Sequence, residues 1–242
     1  MKQHLLHIHH VCKQFGGNVA VSDVGFSVDE KQIIGLIGPN GAGKTTLFNC
    51  LTGFYPVTSG DIIFNEKKIN NLRPDQVCRS GMVRTWQSVK PLASLTVMEN
   101  VMIGAFSTTN SIRVAEEIAI EQLQLVALTD YAGKKAGSLP IGIKKKLELA
   151  RVLATQPKLL LLDEICGGLN KTETETILAI IRDIRTKGAT IVFIEHDMKA
   201  VTSLCDRIVV LNSGEKLAEG TPEEITHNPE VIAAYLGGSQ YA

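Results

Sequence analysis

At 242 residues, 44% hydrophobic and 21% charged, the chain has an ordinary globular composition and can bury a core without disulfides or metals. Its 25 lysines and arginines balance 25 aspartates and glutamates, which argues against bulk affinity for nucleic acid or anionic lipid. Five scattered cysteines (Cys12, Cys50, Cys78, Cys166, Cys205) form no C-x-x-C pair and fit a reducing cytosol; no stretch approaches the ~18 apolar residues of a membrane span, and the N-terminus lacks a signal-peptide core, so any membrane role is expected to pass through a partner.

In chain order, His4, His7, His9 and His10 have no acidic or cysteine partner nearby in sequence and read as a strand with polar edges, not a metal cluster. Residues 33–37 form an apolar strand that runs into a glycine-rich turn and a helix over 45–50, and residues 61–64 and 82–86 are the next strand candidates. From about 90 to 150 the apolar spacing changes to three and four, predicting a helical insert with helices over 95–104, 112–127 and 144–154. Strands at 159–162, 189–194 and 208–211 then alternate with helices at 172–186 and 198–204. The strand candidates carry Val, Ile and Leu without polar alternation, as strands buried on both faces require. The alternation predicts an α/β fold with a parallel sheet and crossover helices. Residues 219–224 read as a turn entering a last helix, with Pro222 at its first position.

The segment Gly38-Pro39-Asn40-Gly41-Ala42-Gly43-Lys44-Thr45-Thr46 matches G-x-x-x-x-G-K-[ST] in the required strand–loop–helix context. Glycines let successive N–H groups face the β- and γ-phosphate oxygens of a nucleotide, and the helix N-terminus adds its dipole. Lys44 is then expected to bridge those phosphates, and the Thr45 hydroxyl to ligate Mg²⁺.

Residues 159–162 deliver Asp163 and Glu164 to a strand end, where open parallel sheets place their ligand sites. Two adjacent carboxylates there call for a cation: Asp163 is expected to hold Mg²⁺ through water, and Glu164 to act as the base that polarises an attacking water. His196 ends a second apolar strand and could reach the γ-phosphate, although a lone strand-end histidine is more often structural.

Together these residues resemble the nucleotide-binding subunit of ABC (ATP-binding cassette) transporters over nearly the whole chain. The resemblance implies a P-loop fold with a mainly parallel sheet core, an antiparallel β subdomain and an inserted helical subdomain. The implied organisation is one domain over 1–242, with the ATP-binding core and β subdomain expected at about 1–89 and 151–242 and the helical subdomain, carrying the signature, at about 90–150. Phe15 resembles the aromatic that stacks on adenine, and Gln87 the glutamine that senses Mg²⁺ and the γ-phosphate. Gly168, Leu169 and Asn170 occupy the place of the D-loop. The family signature Leu-Ser-Gly-Gly-Gln, which caps the ATP held by a partner subunit, becomes Leu139-Pro140-Ile141-Gly142-Ile143 here. Pro140 offers neither hydroxyl nor N–H, Gly142 is retained, and a helix is expected to begin near Ile143. That helix would aim its positive end at the phosphate, where Lys144 or Lys145 could help, but the three lysines Lys144, Lys145 and Lys146 read first as a solvated helix face.

Phe15-Gly16-Gly17, the run 147–151, the segment 167–170 and the ends at 219–225 and 231–237 resemble the ATPases of branched-chain amino-acid uptake systems. That resemblance implies ATP and Mg²⁺ as ligands and integral-membrane permeases as partners. It also implies a second ABC ATPase, with a heterodimer favoured because of Pro140, and, indirectly, an extracytoplasmic solute-binding protein. Nucleic acid is not expected as a partner. The implied location is the cytoplasmic face of the inner (plasma) membrane, reached through permeases that face Gln87 and dock in a groove formed by residues 88–95, with an ordinary local loop as the alternative there; Trp86 reads as packing beside the Gln87 loop. A soluble ABC ATPase without a transport role, or an ATP-dependent clamp with weak hydrolysis, is the alternative.

Overall fold

The computed structural model describes residues 4–237. A six-stranded sheet contains β3 (Ile33–Ile37), β6 (Met82–Arg84), β7 (Leu159–Asp163), β8 (Thr190–Ile194), β9 (Arg207–Asn212) and β10 (Glu215–Gly220), in the order β10-β9-β3-β8-β7-β6. All neighbours are parallel except β10, which returns antiparallel on β9. β3, β7 and β8 are buried at every position. Their side chains alternate between two cores: Leu160, Leu162, Ile191 and Phe193 point to one, and Leu159, Leu161, Val192 and Ile194 to the other. This two-sided burial explains why their sequences lack polar alternation.

On one face lies a four-stranded antiparallel sheet in the order β2-β1-β4-β5, made of β1 (Leu6–Phe15), β2 (Asn18–Val28), β4 (Ser59–Phe64) and β5 (Lys67–Lys68). The two sheets enclose α1 (Lys44–Leu51), whose Leu47, Phe48 and Leu51 are fully buried in the shared core. The strand expected at 61–64 belongs here: Ile62 and Phe64 are buried and Ile63 is exposed, so it is buried on one face, not two. Four residues are too few to distinguish the two cases by pattern. His7, His9 and His10 lie on β1, as expected for a polar-edged strand, with His4 just ahead of it, and folding brings two of the four a carboxylate that the local sequence lacks. His4 pairs with Asp29 at 2.6 Å and His10 with Asp23 at 2.5 Å.

Between β6 and β7 the chain forms α3 (Val97–Ala105), α4 (Ile112–Leu125) and α5 (Ile141–Leu153), which bury Val101, Ala115, Ala119, Leu123 and Leu149 among themselves and against the sheet. Thr96 and Glu99 close a capping box on α3, and Ser111 caps α4. α5 starts two residues before the expected Ile143, with Pro140 as its N-cap, a place where a missing N–H breaks no intrahelical bond. The remaining α-helices among the described residues are α2 (Pro74–Ser80), α6 (Lys171–Thr186), α7 (Met198–Leu204), α8 (Pro222–Thr226) and α9 (Pro229–Gly237). Pro222 opens α8 as expected, but α8 is one short turn closed by the Thr221–Glu224 capping box, and α9 follows it. Short elements without periodicity, α2, β5 and β10, were not legible in the sequence.

Candidate active site

The phosphate loop leaves β3 at Gly38 and enters α1 at Lys44. Gly38 has φ 149° and Gly43 φ 96°; a Cβ at these positions would lie 2.1 Å from the Leu211 carbonyl oxygen and 2.5 Å from that of Ala20. Only glycine lets the loop pass this close to neighbouring backbone. Lys44 is buried, and its ammonium folds back to donate to the carbonyl oxygens of Gly38 (2.7 Å) and Pro39 (3.0 Å). Burial lowers its pKa, opposed by the negative charges of Glu164 and Asp163. Around the loop opens a cleft of about 550 Å³, lined by Asn40 to Thr46 and by Gln87, Glu164 and His196, with Asn18, Ala20, Ser213 and Gly214 closing its rim.

Glu164 is the first residue beyond β7 and sits at φ 48°. The left-handed conformation costs a non-glycine residue about 1–3 kcal/mol and persists only where surrounding contacts enforce it. Here it turns the carboxylate into the cleft. Gln87 donates from Nε2 to Oε2 at 2.5 Å, and His196 Nε2 lies 2.7 Å from Oε1. With the proton on Nε2, His196 donates to the carboxylate. The three side chains singled out from separate strand ends, at positions 87, 164 and 196, thus converge on one point beside the phosphate loop. The arrangement can hold a triphosphate on backbone N–H groups and Lys44, and present an oriented carboxylate to a water at its end.

Beneath this point lies a network that sequence reasoning missed. Arg84 is buried and donates to Asp163 Oδ2 (2.6 Å) and Asn49 Oδ1 (2.6 Å). Its guanidinium lies 4.4 Å from the Trp86 ring centroid and 5.7 Å from that of Phe48. Asp163 is 1% exposed; burial raises its pKa, Arg84 opposes the rise, and its second oxygen, Oδ1, has no hydrogen-bond partner. Trp86 is half exposed, its ring packs edge-on against Phe54, and its backbone N–H donates to Oε1 of buried Glu148 at 2.9 Å. The signal available in advance was a charged residue, Arg84, closing a three-residue apolar strand.

Other expected site residues stand apart from the cleft. Phe15 ends β1, is 41% exposed and packs edge-on against Tyr55, while Asn18, Val19 and Ala20 of the same hairpin line the cleft. Residues 139–143 lie outside it: Leu139 is buried, Ile141 is exposed, and Gly142 is packed so that a Cβ would meet Glu173 Oε1 at 2.6 Å. Gly168 takes φ 76°, Leu169 packs on the helical core, and Asn170 caps α6 through the Glu173 N–H. The reading of Lys144, Lys145 and Lys146 as a solvated face fails at Lys145, which is 2% exposed. It turns inward because α5 packs against the loop after β7, where the Glu164 carbonyl accepts its ammonium.

Comparison with known proteins agrees with this geometry. Residues 21–167 match the ABC transporter family model, and residues 215–240 match that of the branched-chain amino acid ATP-binding cassette transporter. The high-affinity branched-chain amino acid transport ATP-binding protein BraF of Pseudomonas aeruginosa is 44% identical over 98% of this chain and 99% of its own; LivG of Escherichia coli K12 is 43% identical over the same shares. A nucleotide-free ATP-binding cassette from an ABC transporter superposes with a TM-score of 0.88 at 30% identity, covering 96% of this chain and 99% of its own. A cassette in its ADP conformation gives 0.88 at 31%, covering 97% and 99%. With a family model spanning more than half the chain and full-length relatives above 40% identity, the chain belongs to the ABC transporter family, as one of its ATP-binding, ATP-hydrolysing cassettes.

Proposed function

We propose that this cassette hydrolyses ATP to energise an importer of branched-chain amino acids or a related small polar solute. The observation that carries the catalytic part is the Glu164 carboxylate, held between Gln87 and His196 beside the phosphate loop. The cargo assignment rests on the match of residues 215–240 and on the full-length relatives.

In this reading the backbone of residues 38–46 and Lys44 hold the phosphates, and Phe15 stacks on the adenine from the hairpin tip. Thr45, Gln87 and, through water, Asp163 would hold Mg²⁺; their hard oxygen donors and the orphaned Asp163 Oδ1 suit such a cation, which would supply neutralisation of phosphate charge. Glu164 orients and deprotonates the attacking water, and Gln87 and His196 fix its rotamer. Residues 139–143 cap the nucleotide of a second ATPase and residues 168–170 cross to it. Pro140 weakens that cap, which favours a heterodimer whose partner carries a complete signature. Permeases dock near Gln87 and residues 88–95, which puts the chain at the cytoplasmic membrane face; a solute-binding protein acts on the far side.

The test is tagged Glu164→Gln chain, purified with MgATP from solubilised membranes of its host and assayed for turnover. Retained ATP, co-purified permeases and a second ATPase, and turnover lowered about 10²–10⁴-fold are expected. Fast turnover sinks the role of Glu164, and recovery of soluble partners alone sinks the transport role.

A further inference from the structure

Lys145 and Glu195 are buried charges to which the reaction as described assigns nothing. Lys145, on the first turns of α5, is 2% exposed, and Glu195, just past β8, is 5% exposed. Lys145 Nζ donates to the carbonyl oxygen of Glu164 at 3.0 Å, and the same oxygen accepts from the Gly167 N–H at 3.1 Å. The Glu164 N–H donates to Ile194 at 2.9 Å. Both backbone polar groups of the left-handed Glu164 are therefore tied. Nζ also lies 3.8 Å from where a Cβ on Gly167 would stand, so the turn closes directly on the ammonium. From the other side Glu195 Oε1 accepts from the Cys166 N–H at 2.6 Å. Burial disfavours both charges, and each is the other's partial compensation: Glu195 is the foremost group keeping Lys145 protonated, and Lys145 helps keep Glu195 ionised.

We infer that Lys145 is a positioning residue for hydrolysis: with Glu195 as counter-charge, it clamps the turn at 164–167 and holds Glu164 in the conformation that points its carboxylate at Gln87 and His196. A left-handed non-glycine residue relaxes toward extended backbone once its enforcing contacts go, and that swings the side chain out of the cleft. Lys145 sits on the helix that begins with the signature residues, so the helical insert is tied to the backbone of Glu164, the residue that carries the catalytic carboxylate of its own chain. The inference rests on Glu164 acting on water.

The test uses the complex that carries this chain, isolated from its native membranes. Steady-state ATP turnover is measured for the wild type, Lys145→Met, Lys145→Arg, Lys145→Met/Glu195→Gln and Glu164→Gln. Lys145→Met is expected to lower kcat about 10–100-fold with KM for ATP within about twofold, as for a misplaced but present catalytic group. Lys145→Arg keeps a buried cation and should recover most of the rate. The double variant removes the unpaired charge, so it should restore the melting temperature of Lys145→Met but not its kcat. Turnover of Lys145→Met within about twofold of wild type, an equal loss in Lys145→Arg, or recovery of kcat together with Tm in the double variant overturns the inference. Slow Glu164→Gln with normal Lys145→Met sinks this inference alone. Fast Glu164→Gln sinks the role of Glu164 itself, and with it the function assigned to Lys145.

Discussion

Replacing Arg84 with Met leaves an apolar chain of similar length between Trp86 and Phe48 but strips Asp163 of its ion-pair partner and Asn49 of a donor. Arg84 and Asp163 side chains are 5% and 2% exposed, so solvent cannot replace the lost contact. Breaking one half of a buried pair costs about 3–5 kcal/mol, because the remaining charge is left uncompensated. At roughly 2–4 °C per kcal/mol for a chain of this size, the melting temperature at pH 7 should fall by about 6–20 °C. The loss should also depend on pH with a defined sign. Burial already raises the Asp163 pKa against the opposing charge of Arg84, so the variant raises it further. A carboxyl whose folded-state pKa is raised favours the folded state at low pH, and that advantage is lost as pH rises through the folded value. The deficit of the variant is thus largest at neutral pH and narrows as pH falls toward the ordinary carboxylate range. Thermal unfolding followed by circular dichroism, without nucleotide, at several pH values between about 5 and 8 measures both. A melting temperature within about 2 °C of wild type at pH 7, or a deficit that grows on acidification, would refute the reasoning.

Lys44→Ala removes the ammonium that folds over the loop carbonyls of Gly38 and Pro39; ATP affinity by titration calorimetry should fall at least about 100-fold, or 2.7 kcal/mol, while the melting temperature of the empty protein changes little. Glu148 is 2% exposed, its pKa is raised by burial, and its Oε2 has no partner, while Oε1 accepts from Trp86. Glu148→Gln keeps that acceptor and removes the buried charge, so the variant should be at least as stable as wild type at pH 7–8. Its advantage should vanish on acidification, as the wild-type carboxyl protonates; urea unfolding at two pH values decides.

What the sequence determined by itself was whatever depends on local order along the chain. The phosphate loop needs a strand, a run of glycines at fixed spacing and a helix, and all three are contiguous from Ile33 to Leu51. The buried strands announced themselves because two-sided burial removes polar alternation, and Glu164 and His196 because each ends such a strand. Tertiary structure decided what joins distant segments. Residues 61–64 read as a central strand but pair with β1, since strand partners are chosen by packing and not by propensity. Arg84 reaches Asp163 across 79 positions, and Lys145 reaches the Glu164 carbonyl from a lysine run that resembles any solvated helix face. Charge in a sequence does not say whether its partner will be water or a buried backbone oxygen; only the packing of α5 against the turn after β7 does.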